Sequence, residues 1–145
     1  MVLPVLLVVL TGIFSFGIAL NQYLVLTNAV NAGARAFALS AGGAANSTST
    51  ATNADPCAWA ATTIQGSAPS LSSSNLQYTI KYTVNSTGAS TTYTGTGSSS
   101  PSCAGIAMNP NDIVSVTAVY PVTAALYGTA GKSLNLTAQD VELVQ

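Results

Sequence analysis

The chain opens on an apolar run. Met1 to Leu20 reads MVLPVLLVVLTGIFSFGIAL, broken only by the hydroxyls of Thr11 and Ser15. About 20 such residues are enough to cross a hydrocarbon layer about 30 Å thick. The run lacks the basic flank of a secretory signal peptide, and helical periodicity continues beyond it. Leu20, Leu24, Ala32, Ala36 and Leu39 keep an apolar stripe, while Asn21, Gln22, Asn28 and Asn31 mark a more polar side. The spacing predicts one helix from about Leu3 to about Ala41. Pro4 falls in the first turn, where its missing N–H costs little, and Gly42-Gly43 provides the stop. Such a helix is about 60 Å long, twice the hydrocarbon thickness. Either half of it leaves the bilayer or all of it packs into something other than lipid. Small residues recur four apart, at Ser15 and Ala19, Ala29 and Gly33, Ala34 and Ala38. That spacing lets helices approach closely, and it is also ordinary in an alanine-rich helix.

Beyond Gly43 the pattern changes. Residues 44–54 form a polar linker without apolar periodicity. Asp55-Pro56 then opens a short helix with an N-cap aspartate and a proline at the first helical position. It continues through Cys57, Trp59, Ala60 and Ile64 and closes at Gly66. After a Ser-rich loop the period becomes two. Leu76, Tyr78, Ile80, Tyr82 and Val84 alternate with Gln77, Thr79, Lys81 and Thr83, which predicts a half-buried strand. Asn85-Ser-Thr-Gly88 reads as a hairpin turn returning through Ser90 to Thr96. A third strand is expected over Asp112–Val122, stopped by Pro121. A fourth runs over Ser133–Val144; its apolar phase moves from Leu134 and Leu136 to Val141 and Leu143, which predicts a bulge near Ala138. The expected architecture is α+β: a long N-terminal helix, a short helix and an antiparallel sheet of about four strands. It divides into a hydrophobic helix, 1–43, and an exported head, 44–145.

Charge changes this picture more than length does. Among 145 residues only seven are Asp, Glu, Lys or Arg, there is no histidine, and none of the seven precedes Arg35. The net charge of −1 leaves no basic field for nucleic acid. A cytosolic enzyme normally stays soluble through charge; here 35 residues are Ser or Thr, so hydration falls to hydroxyls. General acid–base chemistry draws on histidine, carboxylates and lysine gathered in a cleft. The candidates Asp55, Asp112, Lys81 and Lys132 are scattered, and only Asp140 and Glu142 lie close. No catalytic residue, cofactor site or metal site is therefore expected. Asp140 and Glu142 share one face of a strand, which suits a calcium ion less well than a solvated strand end. Arg35 reads as one half of an ion pair near the end of the helix.

Cys57 and Cys103 both lie in the head. In an exported chain two such cysteines usually pair, and closing the loop between them is worth about 4 kcal/mol; two separate buried thiols are the alternative. Asn46, Asn85 and Asn135 each begin an Asn-x-Ser/Thr triplet, the acceptor pattern for N-linked sugars, which also arises by chance in a chain this rich in hydroxyls. The Ser/Thr-rich segments 46–52 and 86–102 are candidates for O-linked sugars.

Specific residues of the helix carry a resemblance. Val2-Leu3-Pro4-Val5-Leu6-Leu7, Gly12-Ile13-Phe14, Phe16-Gly17, Leu26-Thr27-Asn28-Ala29 and Gly33-Ala34-Arg35 resemble the TadE-like family of tight-adherence pilin-like proteins. Val114-Ser-Val-Thr-Ala-Val-Tyr-Pro121 and Leu134-Asn-Leu-Thr-Ala138 look like that family's closing strands. The family's basic leader, peptidase site and glutamate before the Leu-Pro pair have no counterpart ahead of Met1, which implies a start downstream of the cleavage site or a misplaced gene start. Ser15, Ile18, Asn31 and Ala32 stand where the family often carries charge. The resemblance implies a structural subunit of an extracellular type IV-like filament, joined to copies of itself through Leu6, Leu10, Phe14, Phe16, Ala29 and Gly33. It implies residence in the inner membrane before assembly, with a prepilin peptidase and pilus assembly machinery as partners. A minor pseudopilin of the same family and a single-pass anchor for an adhesive domain are the other readings.

Overall fold

The computed structural model describes residues 2–44, 55–97, 99–124 and 132–145. Helix α1 spans Leu3–Ala44 and α2 spans Pro56–Ser67; a single 3-10 turn at Ser73–Asn75 leads into the sheet. The strands are β1 (Gln77–Thr83), β2 (Ser90–Thr96), β3 (Ile113–Ala124) and β4 (Lys132–Leu143). Every neighbouring pair is antiparallel and the order is β2-β1-β3-β4. The expected α+β architecture is the observed one.

One face of the sheet carries Tyr78, Ile80, Tyr82, Val114, Val116, Ala118 and Ala138, all buried. The lower half of α1 packs on that face through Leu26, Val30 and Phe37, and α2 joins the same core through Ala60, Ala61 and Ile64. The helices meet at unusually short range. A Cβ placed on Gly33 would lie 2.4 Å from Ile64 Cγ1 and 3.2 Å from the Ala60 carbonyl oxygen. Glycine is required there by the closeness of the approach.

Four local expectations need correction. Helix α1 does not stop at Gly42-Gly43 but continues through both to Ala44. Glycine weakens a helix by about 1 kcal/mol relative to alanine without forbidding it, and the flanking alanines favour continuation. The stripe Leu20, Leu24, Ala32, Ala36, Leu39 coincides with the packed face only at Ala36, which is buried: Leu24 and Leu39 are 60% and 61% exposed, whereas Leu26, Val30 and Phe37 are fully buried. A helix apolar nearly all round does not reveal by periodicity which side its partner will choose.

Pro121 does not stop β3, which runs on to Ala124 with Pro121 opposite Asn135. Pairing with β1 ends at Val119, so the strand is one-sided beyond that point. The Val144 N–H donates to the Asp112 carbonyl, and antiparallel ladders alternate. Pro121 therefore turns its nitrogen to the side that β1 has vacated, where proline is tolerated. Finally, β3 and β4 pair in one uninterrupted register from Ile113↔Leu143 to Ala124↔Lys132, without the bulge expected near Ala138. The phase change has another resolution: Val141 and Leu143 point to the outer face and are more than half exposed.

Candidate assembly surface

The upper half of α1 stands clear of the head. Its most apolar 18-residue stretch has a mean hydropathy of 1.9, and none of that stretch is buried. Leu6, Leu10, Phe14 and Phe16 are 57%, 55%, 72% and 65% exposed. The hydroxyls of Thr11 and Ser15 are internally satisfied. Thr11 Oγ1 donates to the Leu7 and Val8 carbonyls at 3.0 and 2.9 Å, and Ser15 Oγ donates to the Thr11 carbonyl at 2.9 Å. From Leu3 to Leu20 this surface can enter lipid or pack against like helices without stranding a side-chain donor.

The expected assembly positions thus separate into two groups. Leu6, Leu10, Phe14 and Phe16 form an open apolar surface, whereas Ala29 and Gly33 are buried within the subunit, Gly33 directly against α2. The small size of Gly33 serves the α1–α2 contact inside one chain. Small-residue spacing alone could not distinguish a contact within the chain from one between chains. Ala34 and Ala38 are likewise buried.

Arg35 ties the lower half of α1 to the edge of the sheet. Its Nε lies 3.7 Å from Glu142 Oε1 on β4, and its side chain is 75% exposed. Such a pair contributes up to about 1 kcal/mol and orients more than it stabilises. Asp140 lies on the same face of β4, half-buried. With Glu142 turned to Arg35, the two acids are a strand end facing the helix. Beside them an open groove between α1 and α2 is lined by Asn28, Asn31, Arg35, Leu39, Trp59 and Thr63.

Two carboxylates hold the head together. Cys57 and Cys103 are joined in a disulfide, with Cα atoms 5.5 Å apart. Asp55 caps α2, its Oδ1 accepting from the N–H groups of Cys57 and Ala58 at 3.1 and 3.3 Å and from the Cys103 N–H at 2.9 Å. One aspartate therefore clasps both sides of the disulfide. Burial works to raise its pKa, but hydrogen bonds from Ser102, Cys103, Ala58 and Cys57 outweigh it and hold the carboxyl below its ordinary value. Asp55, Cys57 and Cys103 lie close enough to suggest a metal site. Both sulfurs are bonded to each other, however, and no thiolate is left to serve as ligand.

The second carboxylate, Asp112, is buried. It accepts from the Tyr82 hydroxyl, from the Asn85 N–H at 2.9 Å and from the Asn109 N–H at 3.0 Å. These bonds, that of Tyr82 foremost, depress its pKa. Burial and the hydrogen bond to Asp112 push the Tyr82 phenol up to about 12. The network ties the β1–β2 turn to the loop before β3. Sequence reading missed it, although Asn109-Pro-Asn-Asp112 is a dense turn signal, and Asn111 adopts φ 72°. Among the glycan acceptor candidates, Asn85 is exposed in that turn and Asn135 is exposed on β4; Asn46 lies outside the described residues.

Residues 1–35 match the model of the family described as TadE-like protein. The match ends at Gly33-Ala34-Arg35 and leaves out the head, including the strand segments Val114–Pro121 and Leu134–Ala138. Searches of curated proteins and of solved structures found no match. Together with the open apolar helix, the partial match is consistent with a distant relation to that family. It is equally consistent with a pilin- or pseudopilin-like protein that associates with a membrane, and it points to a structural rather than an enzymatic family.

Proposed function

We propose that this chain is a structural subunit of an extracellular type IV-like filament, held in the inner membrane by α1 before assembly. The observation that carries the reading is the upper half of α1, an apolar, uncharged surface that its own head leaves uncovered. Its large side chains each gain about 1.5–3 kcal/mol when fully removed from water, so a bundle of such helices is favoured over exposure. In this reading residues 1–43 become the filament core and residues 44–145 its surface. The partners are further copies of the chain, with a prepilin peptidase and pilus assembly machinery acting on it, and no nucleic acid or cofactor takes part.

Shearing intact cells tests the proposal. The expected result is abundant chain in the sheared fraction, seen as filaments by electron microscopy. A trace amount within filaments built of another protein would favour a minor pseudopilin. Retention of all the chain in the membrane would favour a single-pass anchor displaying an adhesive head.

A further inference from the structure

Large exposed hydrophobic side chains are concentrated in two places. Most lie on α1; among the described residues of the head they are Trp59, Leu134, Val141 and Leu143, and the last three all belong to β4. That strand is an edge of the sheet, and among the described residues no strand pairs with its outer side. Long edge strands are normally blunted by proline, a bulge, charge on either face, or a covering element. From Ser133 to Gln139, β4 has no proline, no charge and an unbroken register; Asp140 and Glu142 follow on the helix-facing side, Glu142 turned to Arg35. The opposite edge is β2, whose segment Ser90–Thr96 carries no Asp, Glu, Lys or Arg and whose outer side is bridged, among the described residues, at Thr96 alone, to Ser99.

We infer that the free edge of β4 takes the β2 edge of a second copy of this chain, so that sheets join side by side. This rests on the filament reading above, and two geometric features choose β2 as the occupant. The first is direction. Across the order β2-β1-β3-β4 every pair is antiparallel, so a second copy in the same orientation presents its β2 antiparallel to β4. Joining β4 to another β4 in that way requires a two-fold axis and points the two α1 helices in opposite directions. Copies that enter one bundle from one membrane cannot adopt that arrangement.

The second feature is phase. Val144 bonds to Asp112, so by alternation the odd-numbered residues Ser133 to Leu143 aim their backbone groups at the open edge. Their side chains lie on the outer face. At the other edge Val84 bonds to Ala89 and Gly97 to Leu76, which leaves Ser90, Thr92 and Thr94 aiming outward, also with outer-face side chains. Residues paired across a strand junction must place their side chains on one face, and these two edges do. The joined sheets would keep every α1 on the inner side and the hydroxyl-rich face outside.

A benzoyl-phenylalanine photo-crosslinker at Val141 tests the contact in sheared filaments. The expected product is a dimer whose cross-linked peptide contains Ser90–Thr96 of another copy. Dimers joined to β4, or cross-links only within one chain, would overturn the inference while leaving the filament reading in place. A native chain that forms no filaments would remove both. Thr137→Pro supplies an independent reading, because it removes an N–H that faces the open edge and leaves the β3–β4 ladder intact. Filament yield should fall at least tenfold with the Cys57–Cys103 disulfide still formed, whereas Thr137→Val should assemble normally. Normal yield from Thr137→Pro would also overturn the inference.

Discussion

Asp112 and Asp55 do the work that charge does elsewhere on a larger scale. Each has its pKa held below the ordinary aspartate value of 3.8 by hydrogen bonds that exist only in the folded chain. The stability they contribute is therefore complete above that value and is lost as pH falls below it toward their folded pKa values. Thermal unfolding of the detergent-solubilised full chain should show a flat midpoint from about pH 5 to 7 and a steep fall below about pH 4, and Asp112→Asn should flatten that fall. Tyr82 behaves in the opposite sense: its phenol is raised, so its contribution is present below the ordinary tyrosine range and vanishes as pH passes about 12. In an alkaline absorbance titration Tyr82→Phe should remove the last tyrosine to ionise. Gly33 sets the tolerance of the helix contact. Gly33→Ala drives a methyl into Ile64 and should cost about 1–3 kcal/mol by chemical denaturation.

Among the elements, α2 depends most on its surroundings. It is short, spanning 12 residues, and isolated helices of that length are marginal in water. Three attachments hold it: the Asp55 cap, the disulfide to Cys103, and the packing of Ala60 and Ile64 on α1. Asp55→Ala should cost about 1–2 kcal/mol from the cap, and somewhat more because Cys103 loses its acceptor. Cys57→Ser should cost about 2–4 kcal/mol, read as a lowered denaturation midpoint of the head. The two effects should fall short of additive, since the same aspartate clasps both ends of the disulfide.

At the scale of the whole molecule, the chain is one core with an apolar rod projecting from it. Helix α1 belongs to both parts, entering the core from about Leu26 and standing free above it. A lysine in the free part would have to be desolvated in any helix bundle, at a cost of several kcal/mol unless paired. Leu10→Lys should therefore abolish filaments while the detergent-solubilised full chain keeps its thermal midpoint. Thr83→Lys, on the outer face of the sheet, should leave both unchanged. Filaments of normal abundance from Leu10→Lys would transfer the leading place to the membrane-anchor reading.

Local chemistry determined the existence of the elements. An uncharged apolar run makes a long helix, Asp-Pro caps a short one, and period-two alternation from Leu76 to Val84 makes a strand, because each signal acts within a few residues. The free upper surface of α1 was legible for the same reason. What the tertiary structure decided was orientation. A helix apolar on every side carries no signal for choosing Leu26, Val30 and Phe37 over Leu24 and Leu39 as its packed face. Gly33 could serve a neighbouring chain or its own, and Ile64 fills the space beside it within the chain. Pro121 is tolerated because β1 ends beside it, and Val141 and Leu143 change phase because β4 lies at an edge with its outer face open. Asp112 becomes a buried anchor through partners such as Tyr82 and Asn85, which are remote in sequence. These are non-local facts, and no pattern within a few residues encodes them.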